Sequence, residues 1–223
     1  MKKNIYLLLF CALLFGSCKK DTSNPNAITV INSGVSGNTA GYLLERINTV
    51  IAQKPNLVII MIGTNDAIEG TATYNNFTPF LSAVIDSLQH TGSSVMLLTP
   101  PPIQPWNTFT TDTSLFKGVL TMIYNLSVSK SCYYVDVNSY LNTILTTANS
   151  HQLYYTDGLH LSATGYSDIA NFIYNYMKLN NIKKSKIICF GDSITYGIYM
   201  TGAGTATGNT YPAFLSDDLN SGK

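Results

Sequence analysis

Five short apolar runs, separated by stretches whose apolar residues recur every three or four positions, restrict this chain to a narrow set of folds. The runs are Ile28–Asn32, Leu57–Ile62, Val95–Thr99, Cys132–Val137 and Lys186–Phe190. Each is rich in β-branched or aromatic residues and ends in polar or turn-forming ones. Near-continuous apolarity, in place of strict alternation, marks strands buried on both faces. Between them, Thr39–Gln53 carries Leu43, Leu44, Ile47, Val50 and Ile51 at helical spacing. Phe77–Gln89 carries Phe80, Leu81, Val84, Ile85 and Leu88, with Gly92 as a stop. Further helices are expected over Ser114–Ser129, Ala163–Lys178 and Tyr211–Leu219. Alternating strands and helices predict an α/β fold, a three-layer α/β/α sandwich around a five-stranded parallel sheet. No internal repeat or second domain is visible. Ligand sites in such sheets lie beyond the carboxyl ends of the strands.

Composition narrows the function classes. A chain of 223 residues suits one domain and buries a core without disulfides or a structural metal. A formal charge of +1, with 11% charged residues, argues against a nucleic-acid partner, which needs clustered cations. The four cysteines, Cys11, Cys18, Cys132 and Cys189, form no CxxC or Cys/His cluster, so no metal site is expected. At the N-terminus, Lys2, Lys3 and Asn4 precede an uncharged apolar stretch, Ile5 to Gly16. Its length of about 12 residues falls short of the roughly 20 that span a bilayer, and it reads as a secretory signal. It ends Leu14-Phe15-Gly16-Ser17-Cys18, which resembles the lipobox of bacterial lipoproteins, with Phe15 where Leu is usual. Residues 1–17 are therefore expected to be a lipoprotein signal peptide, Cys18 the lipidated residue and 18–27 a polar tether. The domain then occupies 28–223.

Four segments at strand ends carry chemistry. The last strand runs into Gly191-Asp192-Ser193-Ile194-Thr195, where a Ser beside Gly in a tight turn presents its hydroxyl. The first strand ends Asn32-Ser33-Gly34-Val35-Ser36-Gly37-Asn38-Thr39, whose glycines allow close approach of backbone N–H groups to an anion. The second ends Gly63-Thr64-Asn65-Asp66, offering an amide donor. Before the last long helix stands Asp157-Gly158-Leu159-His160, a carboxylate three residues ahead of an imidazole that it can orient. Each segment taken alone also reads as turn or cap chemistry. His90 and His151 have no motif nearby and read as surface or helix-end residues. Cys132 and Cys189 read as buried small apolar groups. The proline-rich stretch from Thr99 to Trp106 reads as a stiff loop near the site, with Trp106 lining a pocket or packing on its rim. Ile198–Thr210, rich in Gly, reads as a mobile loop beside Ser193.

Together the four segments resemble the SGNH (GDSL) hydrolase family over almost all of 28–223. The resemblance implies a flavodoxin-like sheet and a serine esterase that needs no cofactor. Ser193 would be the nucleophile, His160 its acid–base partner and Asp157 the group orienting His160. The N–H groups of Ser193 and Gly37 and the amide of Asn65 would form the oxyanion hole. One departure is clear: in the family the Ser block comes first, whereas here it follows the Asp/His block. Joining Lys223 to Ile28 restores the family order, so the chain resembles a circular permutant, expected to have sheet order 1-5-2-3-4. The expected partners are an ester substrate, glycan or small molecule, and a lipid anchor in the membrane of a bacterial cell envelope, on a monomeric protein. Short acyl groups such as O-acetyl are the leading substrate class. A long-chain lipase or lysophospholipase, and a non-catalytic glycan-binding lipoprotein, are the alternatives.

Overall fold

The computed structural model describes residues 27–109 and 112–222. The expected signal peptide, Cys18 and the tether up to residue 26 lie outside the described residues. Five strands, β1 (Thr29–Gly34), β2 (Leu57–Met61), β3 (Ser94–Leu98), β4 (Tyr133–Val135) and β5 (Lys186–Gly191), form one sheet in the order β1-β5-β2-β3-β4. All four pairings are parallel. The last strand in sequence thus inserts beside the first and second, as the order 1-5-2-3-4 requires. In the register, Gly34 and Met61 both stand opposite Gly191, so β1, β5 and β2 end at one level. The three loops that follow therefore begin side by side.

Alternate side chains of the buried strands feed two cores. On one face Ile187 and Cys189, with Ile59 and Met61, pack against α6 (Val137–Ile144), α8 (Ala163–Leu179) and α10 (Tyr211–Ser221). On the other, Ile188 and Phe190, with Val58 and Ile60, meet α1 (Ala40–Glu45), α2 (Ile47–Ile51), α3 (Thr64–Ile68), α4 (Thr71–His90) and α5 (Thr113–Ser129). This is the three-layer sandwich that doubly buried strands demand. The chain's first and last described elements meet at its edge: Ile28 N donates to Asn220 Oδ1 at 2.8 Å, and Asn220 Nδ2 donates to Ile28 O at 3.0 Å.

Several boundaries differ from the periodicity. The helix expected over Thr39–Gln53 breaks into α1 and α2 at Arg46, whose φ of −105° and ψ of 10° leave the helical region. Its guanidinium is tied to the ends of β1 and β5, which holds the chain there. The helix expected from Phe77 begins at Thr71, where polar residues continue the turn. The strand expected over Cys132–Val137 is only Tyr133–Val135, because Asp136 caps α6 by accepting from Ser139 N. Cys132 is consequently half-buried ahead of the strand, whereas Cys189 is fully buried in β5. His90, exposed, ends α4. The short helices α3, α6 and α7 (Ala148–Tyr154) are too brief for apolar periodicity to reveal, and α6 and α7 rest on caps by Asp136 and Thr147.

Candidate active site

The loop after β5 is the tightest turn of the site. A Cβ on Gly191 would collide with the Met61 carbonyl and the Thr195 side chain, so only glycine lets β5 run this close to β2. Asp192 then caps a single turn, α9 (Ser193–Tyr196), its Oδ1 accepting from Ile194 N at 2.9 Å. Ser193 is the first residue of that turn and is buried.

Asp157, His160 and Ser193 form one hydrogen-bonded row. His160 Nε2 lies 3.0 Å from Ser193 Oγ, and His160 Nδ1 lies 2.7 Å from Asp157 Oδ2. With Nδ1 donating to the carboxylate, Nε2 is the acceptor for the Ser193 hydroxyl. The other carboxylate oxygen accepts from His160 N at 2.7 Å and Leu159 N at 2.9 Å. Burial pushes the Asp157 pKa up, but the hydrogen bonds from His160 and the two backbone N–H groups outweigh it and hold Asp157 below its ordinary value. The segment is closed by Thr156, whose N and Oγ1 both donate to the His160 carbonyl.

The loops after β1 and β2 converge on the same point. Gly37 sits at φ +78° with open space where a Cβ would stand, so its backbone conformation and not crowding calls for glycine. Asn65, in the first turn of α3, donates through Nδ2 to the Asn38 carbonyl at 2.8 Å, which ties the two loops together. Gly37, Asn65, His160 and Ser193 line a cavity of about 250 Å³, walled further by Phe109 and Tyr199. The Tyr199 ring stands edge-on to His160 at 5.6 Å. Every residue named in the four sequence segments as donor, acid–base group or hydroxyl is thus brought to this one cavity or to the carboxylate behind it.

Of the two places expected for Trp106 the structure shows the packed one, and the segment expected to be a mobile loop is a set of turns. Trp106 does not line this cavity; it packs edge-on against His151 at 5.8 Å and Tyr155 at 6.5 Å, and Phe109 takes the wall position. The stretch from Ile198 to Thr210 is a closely bonded set of turns: Gly204 N donates to Tyr196 O, Asn209 N to Thr201 O, and Asn32 Nδ2 to Thr205 O.

Three groups had no signal strong enough to single them out. Arg46, the only arginine of the sequence, donates to Asn38 Oδ1 at 2.6 Å, Ser33 O at 2.9 Å and Gly191 O at 2.9 Å, and lies 4.4 Å over the Phe190 ring. Its burial lowers its pKa to about 10, with nearby Asp192 acting in the opposite direction. Asp66 and Asp192 are almost wholly buried, and each has one carboxyl oxygen without a partner among the described residues. Burial raises both to about 7, and proximity to Asp66 pushes Asp192 further in that direction. A lone arginine inside a helical pattern was the one available clue to Arg46.

A hydroxyl, an imidazole and a carboxylate in one row is the arrangement that serine hydrolases of unrelated folds share, and here it stands at the carboxyl ends of a parallel sheet, where ligand sites lie. The sequence pattern of the GDSL-like lipase/acylhydrolase family matches residues 19–167, more than half of the chain, and the chain belongs to that family. An arylesterase of Vibrio mimicus is 35% identical over 72 residues, 32% of this chain and 36% of that protein; the match therefore spans about a third of the relative's length. Among solved structures, an acetyl xylan esterase superposes with a TM-score of 0.58 at 21% identity, covering 65% of this chain and 78% of the other. A lipase/acylhydrolase from Enterococcus faecalis does so at 0.56 and 23% identity, covering 65% and 72%. These structural likenesses concern the fold.

Proposed function

We propose that the chain is a serine esterase that hydrolyses carboxylic esters through an acyl-enzyme, with short acyl groups on glycans or small molecules as substrates. The observation that carries this reading is the Asp157–His160–Ser193 row opening into a small cavity. Ser193 Oγ attacks the ester carbonyl while His160 Nε2 takes its proton and later gives it to the leaving alcohol. Asp157 holds the His160 tautomer and stabilises the imidazolium. The oxyanion is received by the N–H groups of Ser193 and Gly37 and by the Asn65 amide, a donor typically worth about 3–4 kcal/mol of barrier. Water then attacks the acyl-enzyme with His160 as base and releases the acid. The cavity of about 250 Å³ favours a short acyl group over a long chain. The description of one fold neighbour as an acetyl xylan esterase agrees with O-acetylated glycan as the substrate class.

The chain is also read as a circular permutant. The first and last elements of the described domain are joined by the reciprocal Ile28–Asn220 bonds, which supports the permuted order. The family match, which runs in chain order, stops at residue 167, short of Ser193. Cys18 after the short apolar stretch supports a lipid-anchored monomer of a bacterial envelope, with 1–17 removed, 18–27 as tether and 28–223 as the enzyme domain.

A series of p-nitrophenyl esters of increasing acyl length tests the substrate class. Turnover highest on acetate and butyrate is expected. A maximum on long chains would make the protein a lipase-type enzyme, and absence of turnover on every ester would leave a binding protein.

A further inference from the structure

A hollow of about 730 Å³, larger than the cavity of about 250 Å³ at Ser193, lies at the opposite end of the sheet. It opens where β1 and β5 begin and is floored by Ile28, Met177, Ile182 and Leu219. Lysines rim it: Lys178, Lys183 and Lys184 line its edge, and Lys186 opens β5 beside it. Lys54, before β2, and Lys130, before β4, lie at the same end of the sheet. The other cations among the described residues, Arg46 and Lys117, lie toward the Ser193 end. The carboxylates are distributed the other way. Among the described residues, Asp66, Glu69, Asp112, Asp136 and Asp192 follow strands at their carboxyl ends, Asp157 stands with them beside His160, and Glu45 and Asp168 lie on α1 and α8. At the lysine end stand Asp86, already paired with Lys130 at 2.7 Å, and Asp217 and Asp218 on α10. Two aliphatic side chains are also strongly exposed at this end, Leu179 at 86% and Val128 at 65%.

We propose that this lysine-rimmed face is the surface on which the protein rests against an anionic phospholipid bilayer. Apolar side chains ringed by lysines suit an interface in which the aliphatic groups enter the headgroup layer and the ammonium groups meet phosphates. Ile28 supplies the second argument. It lines the hollow and is the point at which the segment from Cys18 joins the domain. A tether of ten residues reaches at most about 36 Å, so a lipid on Cys18 would attach the domain to the membrane from this end of the sheet, while the lysines, and not the tether's length, set which face turns to the bilayer. To that extent the inference rests on the lipoprotein reading; the lysine pattern stands without it. In this orientation the carboxyl ends of the strands, with Ser193, Gly37 and Asn65, face away from the bilayer toward soluble or polymeric esters. A lipid on a flexible tether leaves the domain free to turn, and a lysine face adds attachment to anionic lipid and fixes the orientation.

The test uses the full chain added to vesicles of phosphatidylcholine alone, or with about 30 mol% phosphatidylglycerol, read by flotation and by amine acetylation with mass spectrometry. Flotation on neutral vesicles reports the lipid anchor; acetylation reports the face. On anionic vesicles the acetylation of Lys183, Lys184 and Lys186 is expected to fall at least about threefold relative to neutral ones, while Lys117 stays unchanged. The protection should vanish at high salt, where surface charges are screened. The double variant Lys183→Gln/Lys184→Gln should lose most of the protection at Lys186 and keep wild-type turnover of p-nitrophenyl acetate, which reports an intact fold. Flotation on both vesicles with equal acetylation overturns the proposal and leaves the anchor. Flotation on anionic vesicles alone, with protection, overturns the anchor and leaves the proposal. Flotation on neither overturns both. Protection that grows with protein concentration without vesicles assigns the face to a second copy of the chain and overturns the proposal.

Discussion

Arg46→Met is the most informative single change, because one guanidinium braces three pieces of the site. The variant keeps the aliphatic stem but removes the donors to Asn38 Oδ1, Ser33 O and Gly191 O. Gly191 O retains its bond from Val35 N, so its loss is partial. Asn38 is only 8% exposed, and Arg46 is the partner of its Oδ1, which is left unsatisfied at about 1–3 kcal/mol. Loss of the cation over Phe190 adds about 1 kcal/mol. Against this, a partly desolvated cation returns nothing to water once it is gone, which offsets part of the cost. The net expectation is a destabilisation of about 2–3 kcal/mol, or roughly 4–12 °C in Tm for a domain of this size. The kinetic effect should exceed what stability explains. Gly37 lies between Ser33 and Asn38, both held by Arg46, and Asn38 O in turn holds Asn65. Displacing that loop by even about 1 Å misplaces two oxyanion donors at once, so kcat on p-nitrophenyl acetate should fall roughly 10–100-fold while KM changes little. Arg46→Lys should resemble Met in kcat, since one ammonium cannot span three acceptors set in a fork. Circular dichroism melts and steady-state kinetics at matched pH decide it. A variant that loses Tm but keeps kcat would show that Arg46 braces the fold without positioning the donors; one that keeps both would refute the whole argument.

Ser193→Ala and His160→Ala should each abolish nearly all ester hydrolysis with Tm kept near wild type, and the double variant should be scarcely worse, because members of the row act as a unit; near-normal turnover by Ser193→Ala would overturn the mechanism. Asn65→Ala should lower kcat far more than it raises KM, since its donor bond strengthens only as charge develops on the carbonyl oxygen; a change confined to KM would assign Asn65 to substrate binding. Thermal stability should fall as pH rises from about 4 to about 7. Asp66 and Asp192 are protonated in the folded chain up to about pH 7 but ionise near their ordinary values in the unfolded chain, so the folded state holds more protons across that window. Asp192→Asn, which keeps an acceptor for Ile194 N, should flatten the profile, and a wild-type Tm that rises between pH 5 and 8 would refute the assignment. Deleting residues 186–223 removes β5 from between β1 and β2 and should give insoluble protein; a soluble, folded truncation would contradict the placement of that strand.

What the sequence made legible divides along a physical line. Strands buried on both faces have to be apolar throughout, so β2, β3 and β5 stood out as runs, while the edge strands β1 and β4, expected to be buried on both faces, are part-exposed because each has a neighbour on one side only. The segments that follow the runs could be searched for chemistry. The order of the sheet came from the resemblance to the SGNH (GDSL) family, in whose sheet the serine strand lies between the strands that lead to the oxyanion Gly and Asn, and the structure places β5 between β1 and β2. The invisible parts are those set by contacts remote in sequence. Arg46 looks like a polar residue on a helix, yet its acceptors lie 8, 13 and 145 residues away. Nothing local announces a distance of 145, and the break between α1 and α2 is its consequence. The wall of the cavity shows the same limit. Trp106 and Phe109 stand three residues apart in one loop and are alike in composition terms; which of them faces Ser193 depends on His151 and Tyr155 engaging the indole. The two buried aspartates are a third case. Asp66 follows Asn65 and Asp192 precedes Ser193, so each looks like a helix cap, and Asp192 is one. Only the convergence of the loops after β2 and β5 puts two carboxyl groups behind the same site, and with them a proton demand that no reading of either segment contains. Local pattern thus located the chemistry, while the supports that hold it in place come from the closing of the sheet.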